Sequence, residues 1–171
     1  MLLEWAEIKF AVRVNETDET YPEGLSTLEI PIHISKNKAS AVHAADEEIV
    51  IAADTIVVLD GEVIGKPKNR EEATSILQKL SGKMHEVITG VVIRKADKEV
   101  AFSDVTRVTF HTISIEQITY YVDNYKPYDK AGAYAIQEWI GVVGIKSIEG
   151  DFYNVMGLPV SRVVKTLQEF G

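Results

Sequence analysis

The sequence predicts an α/β fold, a mixed twisted sheet with flanking helices. Two observations carry this. Short β-branched apolar runs alternate along the chain with segments of helical periodicity. The strongest run, Ile49 to Leu59, is interrupted only by Asp54 and Thr55, the pattern of a central strand buried on both faces. The elements follow in order. Residues 1–7 read as the end of a helix. Phe-Ala-Val-Arg-Val over 10–14 alternates and predicts a strand, and the polar stretch from Asn15 to Gly24 predicts a loop. Residues 31–45 predict a helix with Pro31 in its first turn, where proline is tolerated. After the central strand, Asp60-Gly61 predicts a tight hairpin returning through Glu62-Val63-Ile64.

A helix is expected over 70–80, with Asn69 as N-cap, Glu72 three residues on and Gly82 placed to end it. Residues 86–95 and 99–110 predict a long hairpin turning at Ala96-Asp97-Lys98. Ser114 and Gln117 form a capping-box pair for a helix that ends near Tyr125-Lys126-Pro127. The Gly-punctuated apolar stretch 132–148 predicts short strands or a hairpin. Pro159 is expected at the first position of a last helix whose apolar stripe is Val160, Val163, Val164 and Leu167.

The chain has 171 residues, 26 acidic and 18 basic, with net charge −8. That suits one globular domain or two small lobes sharing a cleft, large enough to need no staple. With no cysteine there is no disulfide framework, thiolate nucleophile or Cys-based zinc site, and a reducing, cytoplasmic setting is expected. No apolar run reaches the ~20 residues of a membrane span. The start lacks the basic region of a signal peptide. The acidic balance argues against stable nucleic-acid binding, so cationic contacts to a phosphate-bearing substrate must be concentrated locally.

Asp54 is the most informative residue. A carboxylate in an apolar strand must meet a cation, a metal or several donors; alternatively it starts a bulge, with Thr55 satisfying it. Gly65-Lys66-Pro67 presents a lysine from a stiff loop, against the plainer reading of a solvated turn. Asp18-Glu19 suits a hard cation such as magnesium or manganese, or is simply a solvated acidic loop. Lys38 lies within a helix and reads most simply as a surface lysine. Asp129-Lys130-Ala131-Gly132-Ala133-Tyr134, with Gln137 following, sets a charge pair beside small residues that allow close approach. His33, His43, His85 and His111 have no metal-ligand spacing, and His85 is expected to be structural. Trp5 and Trp139 read as packing residues. There is no Walker A motif and no Gly-x-Ser-x-Gly elbow.

Taken together these stretches resemble the Maf family, also called septum formation proteins. The matching pieces are Asp-Glu-Thr-Tyr-Pro (18–22), Ala-Ala-Asp-Thr-Ile-Val (52–57), Gly-Lys-Pro (65–67), Leu-Ser-Gly (80–82) with His85, and Thr-Gly-Val (89–91). They continue through Asp-Lys-Ala-Gly-Ala-Tyr (129–134) with Gln137, and Gly-Asp-Phe-Tyr-Asn-Val-Met-Gly-Leu-Pro (150–159). The resemblance implies two lobes around a central cleft. It also implies a nucleoside triphosphate pyrophosphatase that cleaves between the α- and β-phosphates with a divalent metal, Mg²⁺ or Mn²⁺. By resemblance Asp54 matches the catalytic proton acceptor and Glu19 a charged position around the cleft; on chemical grounds the expected metal ligands are Asp54 and Glu19. Thr55 and Gln137 match positions tied to substrate choice, and Lys38, Lys66 and Lys130 match charged substrate-binding positions. Glutamine at 137 resembles the branch acting on dTTP and UTP, whereas the 7-methyl-GTP branch tends to carry glutamate.

The family's opening strand and Ser-x-Ser-Pro-Arg-Arg loop have no counterpart here; Met1-Leu2-Leu3 matches the helix that follows them. The expectation is a single Maf-like domain over 1–171, more active when extended by that segment. Two other readings are a non-catalytic nucleotide-binding regulator of cell division and a hydrolase of another modified nucleotide. A homodimer is expected on general grounds.

Overall fold

A computed structural model describes residues 1–171. Seven α-helices are present: α1 (Leu2–Trp5), α2 (Glu29–Ser40), α3 (Arg70–Leu80), α4 (Ile115–Tyr125), α5 (Trp139–Gly144), α6 (Phe152–Val155) and α7 (Val160–Leu167). The five strands are β1 (Val50–Leu59), β2 (Glu62–Ile64), β3 (Met84–Lys95), β4 (Lys98–Phe110) and β5 (Ile145–Glu149). They form one sheet in the order β2-β1-β3-β4-β5. The α/β class stands, but the sheet is antiparallel rather than mixed. The β1–β2 and β3–β4 returns are tight hairpins, which can only be antiparallel, and β5 pairs antiparallel with β4 after a longer connection. Asp60 and Gly61 take φ of 51° and 84° and close the β1–β2 hairpin, pairing Leu59 with Glu62. No helix is long and apolar enough to cross a membrane.

The chain divides into two compact units, 1–55 with 89–104 and 157–171, and 56–88 with 105–156. In the first unit, β1 buries both faces with a period of two. Ile51 and Ala53 pack with Val91, Ile93, Val163 and Leu167, so this face meets α7. Val50 and Ala52 pack with Val92 and Ala39, so the other face meets α2. Gly90 lets α2 lie close on β3, because a Cβ there would stand 2.3 Å from the Ile32 amide nitrogen. Ser35, fully buried, fastens the crossing by donating to the Gly90 carbonyl at 2.9 Å.

The second unit packs α3 and α4 on the remaining strand segments. Leu77, Leu80, Ile118, Tyr121 and Val122 join Val57, Val87, Val108 and Phe110 in its core. Asn69 caps α3 by accepting from the Glu72 amide, as expected, and Ser114 with Gln117 completes a capping box on α4. Lys126 ends α4 in the left-handed conformation.

Four expectations about elements change. The helix expected over 31–45 ends at Ser40, with Ala41 as its C-cap. Residues 10–14 pair with no strand, and Val12 and Val14 are exposed, because alternation makes a strand only where a neighbour supplies the hydrogen bonds. The 132–148 stretch holds α5 as well as β5; Gly141 lies against the Ile136 carbonyl, where a Cβ would sit 1.7 Å from the oxygen. Pro159 is the N-cap of α7 rather than its first residue, a difference of one position.

Candidate active site

Parity along β1 decides where Asp54 points. It shares the face of Val50 and Ala52, which lies on α2 beside Ala39. Lys38 is the neighbour of Ala39 in the last turn of α2, and its Nζ stands 2.6 Å from Asp54 Oδ1. The same ammonium stands 3.0 Å from Glu19 Oε1. The predicted cation partner of Asp54 is therefore a lysine side chain, and the bulge reading is set aside because β1 runs unbroken from Val50 to Leu59. Asp54 is almost wholly covered, its side chain 11% exposed. Burial opposes the charge on Lys38, but the hydrogen bonds and charges of Asp54, then of Glu19, outweigh it and raise the lysine above its ordinary value. Lys38 is a bridging ammonium rather than an ordinary surface lysine.

The Asp18-Glu19 pair separates. Asp18 turns back on its own loop, accepting from the Thr20 amide and hydroxyl, both at 2.8 Å. Glu19 alone reaches Lys38. The loop that carries it is pinned upstream by Arg13, which donates to both carboxylate oxygens of Glu48 at 2.6 and 3.0 Å and to the His43 carbonyl at 2.8 Å. Between the loop and β1 lies a cavity of about 440 Å³, lined among others by Asn15, Glu19, Lys38, Val42 and Ala53.

Thr55 has the opposite parity and faces the side of Ile51 and Ala53. Its hydroxyl shares a 2.8 Å hydrogen bond with that of Thr89, which is fully buried. Gly157 comes up against it; a Cβ at that glycine would stand 3.7 Å from Thr55 Oγ1. In the sequence Thr89 stands out only as part of the Thr-Gly-Val stretch, with no role attached, although the signal is the one used for Asp54: a hydrogen-bonding residue within an apolar run, Val87-Ile88-Thr89-Gly90-Val91.

Lys66, Lys130 and Gln137 belong to the second unit. The Gly65 carbonyl accepts from the Gly132 amide at 3.3 Å, joining the loops that carry the two lysines. Lys130 donates to Asp129 at 2.9 Å, and that hydrogen bond, with further help from the charges of Lys130 and Lys66, holds the Asp129 carboxyl below the usual range. Gln137 is the one exposed residue of the run 131–140. His85 is structural, as expected, but its partner is a side chain: its Nε2 lies 2.7 Å from the Tyr134 hydroxyl, and burial pushes the imidazole down to about 4. Trp139 packs edge-on against Tyr120, while Trp5 is exposed.

The donor chemistry around Lys38 fits a divalent cation. Asp54 and Glu19 are hard oxygen donors that already converge on one positive centre, and magnesium is commonly held by one or two carboxylates together with substrate phosphates. No group of three or more His, Cys, Asp or Glu is placed to hold a metal ion, so these two carboxylates would need water or phosphate oxygens beside them.

This order of residues along the chain matches the Maf family, described as Maf-like protein, over residues 1–170. The chain belongs to the Maf family. A relative from Cytophaga hutchinsonii, named dTTP/UTP pyrophosphatase, is 53% identical over 169 residues, covering 98% of this chain and 78% of the relative. One of the same name from Parabacteroides distasonis is 51% identical, covering 99% of this chain and 89% of the relative. A third, from Bacteroides thetaiotaomicron, is 47% identical. The match to this Maf protein thus runs over nearly the whole of its own length.

Proposed function

We propose that this Maf protein is a nucleoside triphosphate pyrophosphatase acting on dTTP and UTP. The observation that carries the reading is the Glu19–Lys38–Asp54 constellation, a covered carboxylate in ion-pair contact, in a chain about half identical to proteins of that name. Water attacks the α-phosphorus, the bond from that phosphorus to the bridging oxygen breaks, and pyrophosphate leaves with the bond electrons. Asp54 accepts the proton that the water loses, for which it must reach that water directly or through one other. Glu19 and Asp54 would hold a divalent cation, which when bound offsets phosphate charge. Lys38 keeps both carboxylates placed and adds positive charge; Lys66 and Lys130 offset charge gathering on the leaving pyrophosphate. Thr55 and Gln137 have the donors and acceptors to read a pyrimidine edge or fix the sugar.

The test is a panel of triphosphates assayed for both products. Equimolar pyrophosphate and nucleoside monophosphate from dTTP and UTP, exceeding those from purine triphosphates, is the expected result. Release of orthophosphate instead, or no preference for pyrimidines, would overturn it.

A further inference from the structure

Gln137 is offered to solvent from surroundings that are otherwise closed. Gly132 to Ile136 are all buried on one side of it, and Ile140 on the other. A glutamine that selects a base must be held in place, since a loose amide pays for its own ordering when it binds. The turn that carries it is held by one hydroxyl. Tyr121, from the middle of α4, is completely buried. Its Oη accepts from the Ala135 amide at 3.1 Å and donates to the Glu138 carboxylate. Ala135 and Glu138 are the two ends of the turn, and the Glu138 amide closes it by donating to the Ala135 carbonyl at 3.1 Å. The phenol is itself fixed by stacking on Tyr125, with ring centroids 5.0 Å apart. On either side the turn is further confined by the His85–Tyr134 hydrogen bond and by Gly141 under the Ile136 carbonyl.

We propose that Tyr121 is a positioning residue for base selection: its buried hydroxyl ties together the two ends of the 135–138 turn and so fixes where Gln137 is presented. This rests on the reading of Gln137 as the residue that discriminates the base. Tyr121 touches no substrate; it acts through the turn. Burial and the Glu138 carboxylate both raise its phenol well above the ordinary value, so the hydroxyl keeps its proton and its donor role at any working pH.

The experiment is a double-mutant cycle of Tyr121→Phe and Gln137→Ala, read as the ratio of kcat/KM for UTP to that for a purine triphosphate. Tyr121→Phe keeps the ring and its stack and removes only the strut. The expected result is a roughly tenfold fall in the ratio for each single variant, with the double variant no worse than Gln137→Ala alone, the non-additivity of residues acting as one unit. A purely structural role would lower both kcat/KM values together and leave the ratio untouched. If Gln137→Ala lowers the ratio and Tyr121→Phe does not, or if the two effects simply add, the role of Tyr121 is refuted while that of Gln137 stands. If Gln137→Ala itself leaves the ratio unchanged, the reading of Gln137 fails and takes this inference with it. Should Tyr121→Phe fold poorly, Glu138→Ala removes the other end of the strut and is held to the same criterion. Amide exchange at Ala135 supplies the physical readout: faster exchange in either variant is expected, and exchange as slow as in the parent would overturn the strut.

Discussion

The covered charges of the first unit and the buried rings of the second find their partners in different ways. In the first, Asp54 and Lys38 are charged, and their partners are charges on other segments. In the second, His85, Tyr134 and Tyr121 sit deeper; His85 Nε2 and the Tyr134 hydroxyl share a hydrogen bond as neutral groups while His85 Nδ1 has no partner, and the one carboxylate in contact with Tyr121 is only part-buried. Charges placed in ion-pair contact can accept protons and hold cations, at a cost in desolvation. Neutral buried hydrogen bonds do neither, but they fix a backbone. The difference teaches a contrast of means: the first unit holds a charged cluster suited to proton transfer, and the second, which also carries Lys66 and Lys130, holds a turn in place by neutral hydrogen bonds.

Four experiments would break or sharpen that contrast. The largest effect is expected at Asp54. Asp54→Asn keeps the shape and removes the charge, and turnover should fall at least ~100-fold, the lower range for a general base. From the sequence alone, stability would hold or rise, because a buried charge is relieved. The structure reverses that sign, since Lys38 loses a partner at 2.6 Å, and a loss of about 1–2 kcal/mol is expected, discounted because the lysine is partly exposed. Denaturant melts alongside turnover numbers check both. Unchanged turnover would place no chemistry in the first unit.

Next is Gly90→Ala. The added methyl meets the backbone of α2, which cannot swing away as a side chain would, so about 3 kcal/mol of stability should be lost. Lys38 rides on that helix, and kcat should fall in whatever fraction remains folded. A stable, fully active variant would show that the crossing does not set the site.

The third concerns pH and belongs to the second unit. The His85 imidazole titrates near 4 when folded and near 6.5 when free. Above 6.5 both states are neutral and the full stability is present. As pH falls from 6.5 towards 4 the unfolded chain takes up a proton that the folded one refuses, so stability declines, by about 3 kcal/mol at the lower end. Urea titrations at pH 7.5 and pH 4.5 measure it. His85→Gln should flatten this part of the profile, and an equally steep profile in that variant would assign the loss to other groups.

The smallest effect is expected at Gln137. Gln137→Glu removes the donor, and a mismatch of about 1–3 kcal/mol should lower the preference for UTP over a purine triphosphate by ten- to a hundredfold. An unchanged kcat/KM ratio would leave the turn with nothing to present.

What was legible in the sequence was mostly local. Asn69, Ser114 and Gln117 announce helix starts because a cap is satisfied within three residues. Asp60-Gly61 announces its hairpin for the same reason. Asp54 was legible because a carboxylate in an apolar run is costly wherever it folds. Its partner was not: pairing Asp54 with Lys38 needs the parity of β1 and the seat of α2 on Gly90, both tertiary facts. Residues 10–14 were misread because alternation says nothing of whether a neighbouring strand exists. Tyr121 was invisible because a buried tyrosine in an amphipathic helix looks like any other core residue until its hydroxyl finds the amide of Ala135.

Each of β1, β3 and β4 passes from one unit to the other, at Thr55/Ile56, Ile88/Thr89 and Asp104/Val105. Genetically, then, neither unit is a segment. A hybrid gene joined once, near residue 75, would draw Thr55 from one parent and Thr89 from the other, and likewise the helix bearing Ile32 and the glycine it rests on. Recombination between diverged relatives would have to exchange several stretches together to move either unit intact. Variation in this protein is therefore expected to accumulate by point substitution rather than by shuffling of parts.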